Sequence, residues 1–381
     1  MAPSDPSALL EWCTAENGWL RETIQTLVLL ESPSTDKAAV DRCGNVLRSR
    51  LETIGGAVTR IPGGQRGDHL RAEFAGAGRR VLLLGHFDTV WSVGQLARMP
   101  FREENGRLYG PGVFDMKAGI ATAMLAVRAL STLAPSSLPR VTMLWTTDEE
   151  IGSATSRETI EAAARESDAV LVLEPSLPGG AAKTSRKGCG EFELIVHGVS
   201  AHAGVNPDTG ASAIHELARQ IVALESLHDP GRGVTINVGR ISGGSRTNVV
   251  AERAEAAIDV RVPTIADAAA IANAFAALAP KRRGIRLDVR GGVSRPPLER
   301  TPQVVQLYQL AREIARELGR DLGEGSTGGV SDGNFTAALG VATLDGLGPR
   351  GDGAHAVHEH VEVEDLTWRA ALLGSLLRRL R

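Results

Sequence analysis

The chain has 381 residues, more than one ordinary hydrophobic core accommodates, so two domains are expected. Its 42 basic and 45 acidic side chains nearly cancel, to a formal charge of −3, which gives no electrostatic case for nucleic acid or an anionic membrane as partner. Three scattered cysteines support neither a disulfide framework nor a cysteine metal site, and no stretch approaches the ~20 apolar residues of a membrane span. With no basic leader either, a cytoplasmic protein is expected.

Residues 9–55 read mainly as two helices. Leu20, Ile24, Leu27 and Val28 share one face of the first, and Val40, Val46, Leu47 and Leu51 mark the second. Ser32-Pro33-Ser34 separates them, and Gly55-Gly56 ends the second. Three short apolar runs come next, at 81–84, 141–145 and 170–173. Each lacks alternation and is rich in leucine or β-branched residues, as strands buried on both faces should be. Helical patterns at 118–130 and 156–164 lie between them. The alternation predicts an α/β layer fold with a largely parallel central sheet.

After Gly188 the pattern changes. Strands are predicted at 191–197, 235–241, 254–262 and 285–289, with helices at 211–224 and 266–278. That order, β-α-β-β-α-β, is the ferredoxin-like split unit, inserted as an α+β domain over 188–293. Residues 1–187 and 294–381 then form one discontinuous domain, with a helix at 304–318, a buried strand at 341–344 and a last helix from 365. Pro296-Pro297 is a plausible hinge on the return.

Polar residues stand where each parallel strand ends. His86 and Asp88 follow the first, Asp148-Glu149-Glu150 the second and Glu174 the third. Ligands of open α/β sheets bind at the carboxyl ends of the strands, so these side chains should converge. Adjacent carboxylates driven into one crevice are tolerated when a cation is present, and one of a pair can ligate while the other acts as general base. Asp115, in the glycine-rich turn before the helix at 118, is either a further ligand or a helix cap. Near the C-terminus, His355, His358 and His360 are all candidates, and spacing alone does not choose among them.

The segments GHFDTV, GPGVFDMKAG, TTDEEIGS, LEPS, SAHAG, TNVV with IDVRV downstream, GGVSDGNF and GAHAVHEHV run in this order along nearly the whole chain. In them the protein resembles the zinc exopeptidase and N-acyl amino acid hydrolase family typified by carboxypeptidases of the G (glutamate) type, aminoacylases, acetylornithine deacetylase and succinyl-diaminopimelate desuccinylase. The resemblance implies a zinc-binding α/β domain carrying a ferredoxin-like lid that forms a homodimer. It implies two zinc ions per subunit, with cobalt or manganese as substitutes: His86 and Glu174 on one, Glu150 and His355 on the other, and Asp115 bridging them. Asp88 would support His86, Glu149 would be the general base, and the peptide after Asp115 would be cis. A His-x-x-x-Glu pattern, satisfied by His355 and Glu359, selects His355 among the three histidines. His202 would stabilise the oxyanion from the partner subunit's lid. Asn248 and Arg261 would meet the substrate's carboxylate or developing charge, with Gly329 and Ser331 at the same end of the pocket.

Arginine suits a carboxylate because its planar fork donates two hydrogen bonds at once. A peptide or N-acyl amino acid with a free carboxylate is therefore the expected substrate, and glutamate the first choice for the released residue. Lys183, Arg186, Lys187 and Arg295 are candidates for a second carboxylate, although the pocket lysine of glutamate-specific enzymes has no ungapped counterpart. The alternative is an N-acyl amino acid amidohydrolase selective on the acyl side. A remoter one is an inert relative serving as a binding or scaffold protein, which loss of a ligand or the base would signal; none is lost.

Overall fold

The computed structural model describes residues 6–381. In chain order its elements are α1 (Pro6–Ala15), α2 (Asn17–Leu29), α3 (Lys37–Thr53), β1 (Ala57–Ile61), β2 (His69–Phe74), β3 (Arg80–His86), β4 (Arg102–Glu104), β5 (Arg107–Tyr109), α4 (Ala118–Leu133), β6 (Arg140–Thr146), α5 (Arg157–Arg165), β7 (Ala169–Val172) and β8 (Ala182–Arg186). The middle of the chain forms β9 (Gly188–His197), α6 (Ala213–Glu225), β10 (Thr235–Gly243), β11 (Arg253–Val262), α7 (Ile265–Ala276) and β12 (Arg286–Arg295). It closes with α8 (Pro302–Glu317), β13 (Glu324–Thr327), α9 (Gly333–Ala338), β14 (Thr343–Leu344), β15 (Gly351–Asp352), β16 (His360–Glu362) and α10 (Val363–Arg379). Two compact units result. The first holds the described residues up to Ser185 with Arg300–Ser326 and Ser331–Arg381; the second holds Arg186–Glu299 with Thr327–Val330.

The first unit is built on a six-stranded sheet of order β1-β2-β6-β3-β7-β14. The β6-β3, β3-β7 and β7-β14 pairs are parallel, and the β1-β2 and β2-β6 pairs antiparallel. Side chains alternate across a strand, so β3 serves two cores. Val81 and Leu83 join a cluster with residues of α2, α4 and α10, while Leu82 and Leu84 join Ile160 of α5 and Phe335 of α9. Burial on both faces explains the unbroken apolar runs. The strands β1 and β2 escape that signature because they are short and carry charges such as Arg71 and Glu73. A small sheet of order β15-β16-β5-β4 also belongs to the unit, with strands too short for a periodicity to show, and β13 pairs with β8 in a separate two-stranded sheet.

The first predicted helix is two. A turn at Glu16 separates α1 from α2, where Asn17-Gly18, both poor helix formers, come next. Helix α3 starts on Asp36, whose carboxylate accepts from the Ala39 amide at 3.0 Å. Helix α4 is alanine-rich and buried nearly all round, and Gly119 in its first turn lets it press onto the end of β7. A Cβ there would lie 2.2 Å from the Leu173 carbonyl oxygen. That close approach brings the turn holding Asp115 beside the strand end holding Glu174.

The second unit has a four-stranded antiparallel sheet of order β10-β11-β9-β12 with α6 and α7. Its strand and helix order is the ferredoxin-like one. Strand β12 runs to Arg295 rather than stopping at 289, since Gly291 permits a close crossing of β9 where a Cβ would come 2.1 Å from the Glu191 backbone oxygen. Among the described residues no helix is long and apolar enough to cross a membrane.

Candidate metal centre

His86 is the last residue of β3 and is buried. Its Nε2 lies 3.2 Å from Asp115 Oδ1 and 3.5 Å from Glu174 Oε1. The other Asp115 oxygen, Oδ2, lies 3.5 Å from His355 Nε2, which is 3.0 Å from Glu150 Oε2. One carboxylate thus presents an oxygen to each of two histidines, and each histidine has a further carboxylate of its own. Ligand atoms of His86, Glu149 and Glu174, and of His86, Asp115 and Glu150, also gather within 4.8 Å of one another.

Each group is delivered by a different local device. Glu149 and Glu150 form one short helical turn, Glu149–Ile151, directly after β6. Asp115 sits in the turn Val113–Lys117 before α4, and the Asp115-Met116 peptide is cis. His355 holds a left-handed backbone, φ 62°, in the loop between β15 and β16. His86 Nδ1 is held by Asp88, chiefly through the backbone oxygen at 3.1 Å, with carboxylate Oδ1 at 3.5 Å. Asp88 is itself held by the Ser34 hydroxyl at 2.7 Å, and Ser32 binds the Phe87 carbonyl at 2.6 Å. These serines look in the sequence like mere helix breakers, and their contacts lie more than fifty residues away.

The donor set fits divalent cations of the zinc type: imidazole nitrogens and carboxylate oxygens gathered from strand ends, a turn and a loop. One buried oxygen of the cluster, Glu150 Oε1, has no hydrogen-bond partner, which fits a site where neighbouring charge satisfies it. The electrostatics agree. Burial works against a charged His86, yet hydrogen bonds to Asp115, Asp88 and Glu174 hold its pKa well above the ordinary value. Hydrogen bonding to Asp115 and Glu150 pushes His355 up to about 10. Asp115 is held below the usual carboxylate range: burial opposes this, but hydrogen bonds from His355 and His86 prevail. Burial raises Glu150, and raises Glu359 to about 7. The carboxylates of the cluster demand positive charge, and in the metal-free protein the two rings answer with protons.

The other two histidines of the C-terminal run part from the cluster. His358 is exposed, 4.0 Å from Asp352, and His360 is buried in β16 with its ring against Tyr109. Ser331, in the first unit, is buried with its hydroxyl on Asp345 at 2.6 Å. In the second unit His202 is exposed, and its Nδ1 accepts the Gly204 and Val205 amides at 3.1 Å each. An accepting Nδ1 leaves the proton of the neutral ring on Nε2, so that nitrogen is a donor. Asn248 adjoins it, its carbonyl accepting the Ala203 amide at 3.0 Å. Arg261 turns its fork onto Asp259, at 3.0 and 2.9 Å. Arg295 is buried. Arg186 is buried too, donating to the carbonyls of Gly329 and Val330 at 3.2 and 3.0 Å.

Residues 82–379 match the family described as Peptidase family M20/M25/M40. The chain belongs to that family. It is accordingly a metal-dependent hydrolase acting on amide bonds. It is 28% identical over 388 residues to Carboxypeptidase G2 of Pseudomonas sp. (strain RS-16), a match covering 100% of this chain and 94% of that protein. Succinyl-diaminopimelate desuccinylase of Marinobacter nauticus is also 28% identical, over 94% of this chain and 98% of its own. Among solved structures, aminopeptidase PepT from Bacillus cereus ATCC 10987 superposes with a TM-score of 0.75 at 24% identity, over 96% of this chain and 98% of that one, a likeness of fold.

Proposed function

We propose that the protein is a dinuclear zinc hydrolase that cleaves the amide bond to a C-terminal amino acid bearing a free carboxylate, glutamate first among them. The observation that carries this reading is Asp115, with one oxygen toward His86 and the other toward His355. His86 and Glu174 would hold one cation, Glu150 and His355 the other, with Asp115 shared. Bound there, the cations would supply Lewis acidity to the scissile carbonyl and acidify an attacking water. Glu149, beside a ligand and on the same short turn, takes the proton from the attacking water and delivers it to the leaving nitrogen. Asp88 keeps the His86 ring aimed.

The second unit, the proposed lid over 188–293, supplies polar recognition. His202 Nε2–H donates to the developing oxyanion across a homodimer, as the family resemblance suggests. Asn248 and Arg261 receive the substrate's carboxylate, with Gly329, Ser331 and Arg295 toward the same end. Full-length similarity to Carboxypeptidase G2 supports release of a C-terminal residue. One observation favours acyl-side selectivity instead: Arg186, a candidate for glutamate's second carboxylate, already spends its guanidinium on the Gly329 and Val330 carbonyls. The desuccinylase relative supports the same alternative.

Glu149→Gln should keep its metal, measured by elemental analysis, and lose hydrolysis by about 10²- to 10⁴-fold. Near-normal turnover would remove Glu149 as the base. N-acylated glutamate, aspartate and neutral amino acids, assayed side by side, decide specificity; equal rates on all of them would end the glutamate reading.

A further inference from the structure

Glu359 is 1% exposed, lies four residues beyond His355 and has no part in the roles assigned above. Its carboxylate accepts four hydrogen bonds. Oε1 takes the amides of Phe114 at 2.9 Å and Asp115 at 3.1 Å; Oε2 takes the Gly112 amide and the Trp91 indole Nε1, both at 2.9 Å. The Glu359 carbonyl also accepts the Gly110 amide, at 3.4 Å. Three amides of one turn can point at a single carboxylate because the chain curls there. Gly112 has φ 72°, and a Cβ on it would lie 2.5 Å from Thr89 Cγ2. Successive amides so curled form a concave anion-binding nest, here filled by a side chain of the protein itself.

What the carboxylate joins matters more than its burial. Trp91 belongs to the stretch leaving β3, five residues after His86. Gly112, Phe114 and Asp115 form the turn of the shared ligand, and Glu359 continues the loop of His355. One side chain therefore ties together the three segments that bring His86, Asp115 and His355. We propose that Glu359 is a positioning residue that holds Asp115 in its two-sided orientation, so that it sets cation affinity without touching a cation. This rests on the reading that Asp115 and His355 bind cations. Groups that orient metal ligands typically contribute about 10- to 100-fold in affinity.

The test uses the full chain stripped of metal and titrated with cobalt(II) against a competing chelator, with the cobalt visible spectrum recorded alongside. Glu359→Gln keeps the shape but turns an NH₂ toward two of the four donors. It should remain folded by circular dichroism, bind cobalt about 10- to 100-fold more weakly and show an altered spectrum. A lower melting temperature with unchanged affinity and spectrum would mean a purely structural role and overturn the proposal. Trp91→Phe removes one donor and no ligand, and a several-fold loss of affinity is expected. Should Glu359→Gln not fold, unchanged cobalt affinity in Trp91→Phe overturns the proposal by itself. Asp115→Ala separates this from the underlying reading: if it binds cobalt like the parent chain, the site assignment fails; if it loses cobalt while Glu359→Gln does not, only the role of Glu359 fails.

Discussion

The two units present their polar residues in opposite ways. In the first, His86, Glu150 and Glu174 follow the ends of buried parallel strands and Asp115 sits in the turn before α4. Several are braced: His86 by Asp88, Asp88 by Ser34, and the Asp115 amide by Glu359. In the second, His202 and Asn248 lie exposed on facing loop segments, and Arg261, half-buried on a strand, holds its own neighbour Asp259. The first arrangement fixes geometry before anything binds; the second leaves donors accessible. The proposed roles, a centre that holds ions and a surface that accepts and releases substrate, would call for that division.

Loss of Asp115 should have the largest effect. Asp115→Ala should remove the shared ligand and cut kcat by about 10⁴-fold or more while metal content falls, as elemental analysis would show. On the other side, His202→Ala should lower kcat by about 10²- to 10³-fold with metal content unchanged. Mixing it with Glu149→Gln protein should restore turnover if the two residues serve one site from different subunits; no recovery would argue for self-contained subunits. The smallest effect is the pH response of the braced centre. The His355 pKa of about 10 lies above its ordinary 6.5, so in the metal-free protein its stabilising contribution is complete below about 6.5 and lost as pH rises through about 10. A cation bound through His355 must displace that proton, and one bound through His86 the proton of that ring. Apparent affinity for each should therefore rise by about tenfold per pH unit while its ring stays protonated, up to about pH 10 for His355, as competition titrations at several pH values would reveal.

Much of the first unit was legible because parallel strands buried on both faces must be apolar runs, and the residues just past each run must face the crevice. His86, Glu149, Glu150 and Glu174 were singled out by that logic. It failed where signal is short or distant. The strands β1 and β2 mix charge with apolar residues, and β15 has two residues, too few for any period. The role of Glu359 rests on amides some 245 residues earlier in the chain, which no local pattern encodes. Lys117 is similar: it reads as an ordinary helix-start lysine, yet it is buried, its Nζ on the Leu27 and Leu30 carbonyls at 2.9 Å each. There it caps the C-terminal end of α2 and anchors the turn of Asp115. Arg186, a candidate for a second carboxylate in the sequence, is buried within the second unit on the Gly329 and Val330 carbonyls.

The ligand candidates are spread from His86 at the end of β3 to His355, which precedes only β16 and α10. By the proposed assignment, a chain emerging from the ribosome would carry the ligands of one cation, His86, Asp115 and Glu174, long before His355 could complete the second site. Capture of the second proposed cation would then be a late event of biosynthesis, with the loop of His355 closing onto a sheet already assembled. Chains stalled or clipped ahead of His355 would hold at most one of the two proposed cations.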